Sequence, residues 1–204
     1  MITIRNLTKK FENVVVLDNI SYNFESGKNY LITGESGCGK STLLSIIAGY
    51  DEKYTGKVQR DNKANIQYVF QDILLYSNVL VKDNIRIKAN SLNLSISDEE
   101  IKRTLEKFRL YNKEESKVCQ LSQGEKQRLQ LAMIFITNPD VLLMDEPTAN
   151  LDYQNKVLVI ETINENFSDT DKIIISHDSS ELFRGYETVV MGNQKIESIV
   201  KQVG

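Results

Sequence analysis

The nine residues Gly34-Glu35-Ser36-Gly37-Cys38-Gly39-Lys40-Ser41-Thr42 constrain this chain more than any other stretch. They fit G-x-x-x-x-G-K-[ST], with Gly34, Gly39, Lys40 and Ser41 at the fixed positions. Before them, Asn29-Tyr30-Leu31-Ile32-Thr33 is a short apolar run that reads as a buried strand. After them, Leu43, Leu44, Ile46, Ile47 and Ala48 follow at helical spacing, and Gly49 closes the helix. Strand, glycine-rich turn and helix is the context in which this motif has a physical meaning. The glycines let backbone N–H groups turn inward on a phosphate chain, and the helix start adds the positive end of its dipole. Lys40 brings a point charge to the outer phosphates, and the Ser41 hydroxyl can ligate Mg²⁺. The bland alternative is a glycine turn with an incidental lysine; the flanking strand and helix favour nucleotide phosphate.

A length of 204 residues predicts one domain, or one domain with an inserted lobe. Hydrophobic content of 41% and charged content of 26% are ordinary for a globular protein. The net charge of −3 argues for no nucleic-acid partner. Two cysteines, Cys38 and Cys119, do not make a disulfide framework, and free thiols point to a reducing cytosol. Residues 1–6 alternate like a strand and lack the build of a signal peptide. No window approaches the apolar length of a membrane span, so the chain is not expected to cross a membrane itself.

Residues 2–8 and 14–24 alternate as strands of a β layer, with Phe11 in the polar link between them. Such an aromatic is either a partly buried anchor or a platform on which a base stacks. Residues 57–60 and 65–70 read as two further strands, after which Gln71 and Asp72 break the pattern; Gln71 alone reads as a solvated loop amide. Residues 76–120 change character, rich in Asn, Ser, Lys and Glu. There Asp83 is placed to cap a short helix, and Ser97 with Glu100 makes a capping box for another through Ile101, Leu105 and Phe108. This stretch looks like a small helical insertion without chemistry of its own.

Leu121-Ser122-Gln123-Gly124-Glu125 opens the next helix. Ser122 with Glu125 is a complete capping box, and a helix start with a hydroxyl and a glycine is equally an anion site. Residues 140–147, DVLLMDEP, form an apolar strand ending in Asp145 and Glu146. Acids at the carboxyl end of a strand lie where α/β sheets bind ligands, and the pair can divide Mg²⁺ binding from proton abstraction. Asp152 can cap a helix through Val157, Leu158, Ile160 and Ile163. Residues 172–176 are another buried strand, ending at His177, the single histidine, which is either structural or a ligand contact. Two short strands around Gly192-Asn193 close the chain as a hairpin.

Together these residues resemble the nucleotide-binding subunit of an ATP-binding-cassette (ABC) transporter over essentially the whole chain. GESGCGKST is similar to the Walker A loop, Gln71 falls at the Q-loop, and LSQGE is similar to the family signature. VLLMDEP resembles Walker B, Ala149-Asn150-Leu151-Asp152 the D-loop, and Ile175-Ser176-His177-Asp178 the switch-histidine loop. The resemblance implies an α/β fold: a P-loop NTPase (RecA-like) core sheet with an antiparallel β subdomain and an inserted α-helical subdomain. Residues 1–75 and 121–204 would be the nucleotide-binding core and 76–120 the helical insertion.

It also implies roles. Gly34, Glu35, Ser36, Gly37, Cys38, Gly39, Lys40, Ser41 and Thr42 would hold ATP, with Phe11 stacked on adenine. Ser41, Gln71 and Asp145 would surround Mg²⁺. Glu146 would be the general base, with His177, Lys40 and Gln71 completing the catalytic set. Asp152 of the D-loop would also bind ATP, and Ser122 and Gly124 would meet the ATP of a second, head-to-tail cassette, most simply another copy of the chain. Separate membrane-spanning permease subunits would hold the protein at the cytoplasmic face of the membrane, facing residues 71–76 and the helical lobe. The absence of a C-terminal extension makes the cassette look like those of small exporters. A rival reading is an ABC-type ATPase that regulates a membrane complex without moving a solute. Three departures stand out: Gln123 in place of the usual glycine, which must accept that backbone with a Cβ, Glu125 in place of the usual glutamine, and Met133-Ile134-Phe135 in place of small and basic residues.

Overall fold

The computed structural model describes residues 1–200; residues 201–204, the end of the expected core segment, lie outside the described residues. By packing, the chain divides into two compact units. Among the described residues, one comprises 1–68, 140–146 and 169–200; the other comprises 69–139 and 147–168.

The first unit contains two sheets. Strands β1 (Ile2–Phe11), β2 (Val14–Phe24) and β4 (Thr55–Gln59) form an antiparallel sheet in the order β2-β1-β4. The second sheet has six strands in the order β5-β6-β7-β3-β8-β9, built from β3 (Tyr30–Gly34), β5 (Ile66–Val69), β6 (Val141–Asp145), β7 (Asp171–Ile175), β8 (Glu187–Gly192) and β9 (Lys195–Val200). β6, β7, β3 and β8 run parallel, and β9 returns antiparallel to β8. Val, Leu and Ile dominate the parallel strands because both faces are covered. Leu43, Leu44, Ile46 and Ile47 of α1 (Lys40–Ala48) are fully buried and pack with Ile32, Leu143, Ile173 and Val189, so the helix after the glycine turn lies on the sheet it leaves.

The first strand runs three residues further than the alternation predicts. At Asn6, φ is +48° and the register shifts, which restores the inward set Leu7 and Lys9 after Ile2 and Ile4. Phe11 is therefore the last residue of β1, paired with Val14 across the turn at Glu12-Asn13, rather than part of a loose link. The closing hairpin also turns one residue later than expected. Gly192 pairs with Lys195, and the two-residue turn is Asn193-Gln194, both at positive φ as a tight hairpin demands.

The second unit is helical: α2 (Val81–Ser91), α3 (Asp98–Lys107), α4 (Gln123–Phe135) and α5 (Tyr153–Asn166). Asp83 is not the cap of α2. The helix begins after Leu80, Asp83 sits in its first turn, and the buried Asn84 side chain accepts from the Tyr76 amide and donates to the Leu80 carbonyl. The expected boxes at Ser97 and Ser122 and the cap at Asp152 are all formed. Phe108, Phe135 and Phe167 meet edge to face with centroids 5.4 to 6.0 Å apart, which ties α3, α4 and the end of α5 into one core. That cluster is the physical reason for Phe135, and it groups α4 and α5 with the helices of 76–120.

Candidate nucleotide site

The glycine turn joins the carboxyl end of β3 to α1, and its glycines answer two demands, close backbone approach and positive φ. A Cβ on Gly34 (φ +144°) would lie 2.0 Å from the Met191 carbonyl oxygen, and one on Gly39 (φ +101°) would lie 2.6 Å from that of Val16. Gly37 (φ +80°) has open space around it, so only its backbone angle requires glycine. Glu35, Ser36, Gly37 and Ser41 are exposed, Thr42 is half-buried, and Cys38 is buried with its thiol 3.6 Å from the Met191 carbonyl. Lys40 is only 6% exposed. Its ammonium donates to the carbonyls of Gly34 at 2.8 Å and Glu35 at 2.9 Å, so the loop is curled around its own lysine.

Parallel register brings the other acids to the same end of the sheet. Asp145 pairs with Ile175 and Ile32 pairs with Ile175, which sets Glu146 and His177 beyond the ends of neighbouring strands. Asp145 is buried; its Oδ2 accepts from the Tyr68 hydroxyl at 3.2 Å, while Oδ1 has no hydrogen-bond partner among the described residues. Glu146 stands in the left-handed region at φ +50°, its amide bonded to the Ile175 carbonyl. Glu146 Oε2 accepts from the His177 amide at 3.4 Å, and His177 Nε2 stands 3.4 Å from the Oε1 atom, which has no hydrogen-bond donor among the described residues. Burial lifts the Glu146 carboxyl above the ordinary range, partly opposed by the His177 and Lys40 charges. A strained, half-buried carboxylate with an unfilled oxygen is chemically able to accept a proton. The orphaned oxygen of Asp145 and the exposed Ser41 hydroxyl are hard donors of the kind a divalent cation takes.

Phe11 is half exposed, with the Lys9 ammonium 4.5 Å from its ring centroid. Gln71, Ser122, Gly124 and Asp152 belong to the helical unit. Gln71 lies in an exposed bend. Ser122 donates its amide to Glu125 Oε2 at 2.8 Å, and its hydroxyl accepts from the Glu125 amide at 3.3 Å. Burial would raise the Glu125 carboxyl, but the Ser122 amide and hydroxyl, with the Lys113 ammonium 3.1 Å away, hold it below its usual range. Glu125 thus serves the cap. Gln123 is the first residue of α4 and has no positive φ, so this departure requires no glycine backbone. A Cβ on Gly124 would lie 2.5 Å from Asn155 Oδ1, so any larger residue there would have to displace the Asn155 side chain. Asn155 in turn donates its amide and side chain to Asp152. Asn155 and Tyr68 carry roles that the sequence motifs do not mark. The Asp-x-x-Asn spacing at a helix start signals the first; nothing local signals the second.

The ABC transporter family matches residues 17–149. The chain belongs to that family. Among solved structures, the cassette resembles the ATP-binding cassette MJ0796 in a dimeric post-hydrolysis state bound to ADP and Pi, with a TM-score of 0.84 and 26% identity, both chains covered in full. The spermidine/putrescine import ATP-binding protein PotA of Mycoplasma mycoides is 30% identical, covering 100% of this chain and 61% of that protein. The sulfate/thiosulfate import ATP-binding protein CysA of Mesostigma viride is 36% identical over 98% of this chain and 62% of its own. The Fe(3+) ions import ATP-binding protein FbpC of Escherichia coli O157:H7 is 32% identical over 95% and 59%. The chain spans about three fifths of the length of these relatives. The expected export direction finds no support here, since all three are named as import proteins. No helix among the described residues is long and apolar enough to cross a membrane.

Proposed function

We propose that this ABC cassette binds ATP with Mg²⁺ and hydrolyses it to power transport through separate membrane-spanning subunits, working in a head-to-tail pair with a second cassette. The observation that carries this is the gathering of Lys40, Asp145, Glu146 and His177 at the carboxyl ends of the parallel strands, with unfilled oxygens on both acids. Residues 34–42 hold the triphosphate and Phe11 the base. Ser41 and Asp145 would hold the cation, which would neutralise phosphate charge. Glu146 takes the proton from the attacking water, and His177, already against its carboxylate, orients it. Ser122 and Gly124, beside Asp152, meet the triphosphate of the paired cassette. Phosphoryl transfer of this kind depends on positioning and electrostatics.

Import is the direction that the relatives' names favour. Residues 71–76 and the helical lobe at 76–120 are assigned to the membrane subunits, which hold the cassette at the cytoplasmic face; Leu74 and Tyr76 are exposed there. Removing Lys40 tests the nucleotide assignment. Lys40→Ala is expected to weaken ATP binding sharply in a nucleotide titration, and unchanged binding would refute the phosphate-loop role. Purification from native membranes with the bound permease identifies the partner.

A further inference from the structure

Lys9 is 3% exposed on the inward side of β1, and lysines are almost never buried this far unless paired. Its ammonium lies 2.6 Å from Asp51 Oδ2 and donates to Asp51 Oδ1 and the Lys53 carbonyl, each at 2.8 Å. Asp51 also accepts from the Lys53 amide at 3.0 Å. The Lys9 hydrogen bond, against a smaller effect of burial, holds the Asp51 carboxyl below its usual range. The ion pair thus ties β1 to the segment between α1 and β4. On its remaining side the same ammonium sits under the Phe11 ring, 4.5 Å from the centroid, while Phe11 keeps 51% of its surface open.

The geometry points to Lys9, pinned by Asp51, as the positioning residue for base binding: it occupies one face of Phe11 and presents the other to a purine. This rests on the reading of Phe11 as the base platform. Phe11 stands at the tip of an exposed hairpin, where a side chain without an anchor would sample several rotamers. A cation against one face fixes the ring and draws its electron density away, so an electron-rich purine stacks more favourably on the opposite face.

Isothermal titration calorimetry with ATP and, separately, with inorganic tripolyphosphate tests this. The double variant Lys9→Met with Asp51→Asn removes both charges, so neither is left buried alone. It is expected to weaken ATP binding about 5-fold, the scale of a partly desolvated cation–π contact, and to leave tripolyphosphate binding unchanged. Adding Phe11→Ala should cost no more than Phe11→Ala alone, because Lys9 acts through the ring. Lys9→Arg should keep most of the ATP affinity. A parallel fall in tripolyphosphate affinity, or losses that simply add, would overturn the assignment. If Phe11→Ala alone leaves ATP affinity intact, the platform reading fails and takes this one with it. Should the double variant not fold, Lys9→Gln alone, which removes the cation but keeps a donor for the partly exposed Asp51 carboxylate, is expected to show the same ATP-selective loss; an equal loss with tripolyphosphate would overturn the proposal.

Discussion

Glu146 is held by three features at once: a left-handed backbone, a half-buried carboxyl and a histidine whose amide reaches one oxygen while its ring approaches the other. Glu146→Gln keeps the shape and removes the basicity. We expect turnover to fall by about 10²- to 10⁴-fold with ATP binding retained, the range of a lost general base; undiminished steady-state hydrolysis would refute the assignment. The raised carboxyl gives a second prediction. A base must be ionised, so hydrolysis should decline on acidification at a pH above the ordinary carboxylate range. Stability follows the same sign. A buried acid with a raised folded pKa favours the fold when protonated and loses that contribution as pH rises through it. Glu146→Gln should therefore unfold at a higher temperature than the parent at pH 7, with the difference vanishing in acid. Equal melting temperatures at both pH values would contradict the burial argument.

Helix α4 begins with a residue that has two assignments. Ser122 caps the helix through the Glu125 amide, and it is proposed to meet the triphosphate of the paired cassette. Substitution separates them. Ser122→Ala should destabilise the fold by about 1 kcal/mol through the lost cap. Ser122→Asp restores a good cap but sets a carboxylate against phosphate. Chemical denaturation should find Ser122→Asp close to the parent in stability, while ATP-dependent pairing is lost. If Ser122→Asp pairs normally, the serine is a cap and nothing more.

The whole cassette is proposed to act as a pair, with each triphosphate neutralising the helix start of the partner. Size-exclusion chromatography of Glu146→Gln with ATP should show a dimer that ADP does not support. A monomer under both conditions would remove the motor reading and leave a nucleotide binder.

Much of this molecule is written locally. The glycine turn between an apolar strand and an apolar helix, the capping boxes at Ser97 and Ser122, and the cap at Asp152 depend on residues within a few positions of each other, and all appear where the spacing puts them. The order of the motifs sufficed to mark the chain as an ABC cassette. Other features answer to partners far along the chain. The bulge at Asn6 that carries β1 to Phe11 is set by strand pairing. The need for glycine at Gly34 comes from the Met191 carbonyl, and the crowding at Gly124 from the Asn155 side chain. Phe135, puzzling in a signature helix, is explained by Phe108 and Phe167, and the Tyr68 bond that leaves Asp145 Oδ1 unfilled spans two strands. Periodicity reports which face of an element is buried, but only packing decides which side chains meet on it.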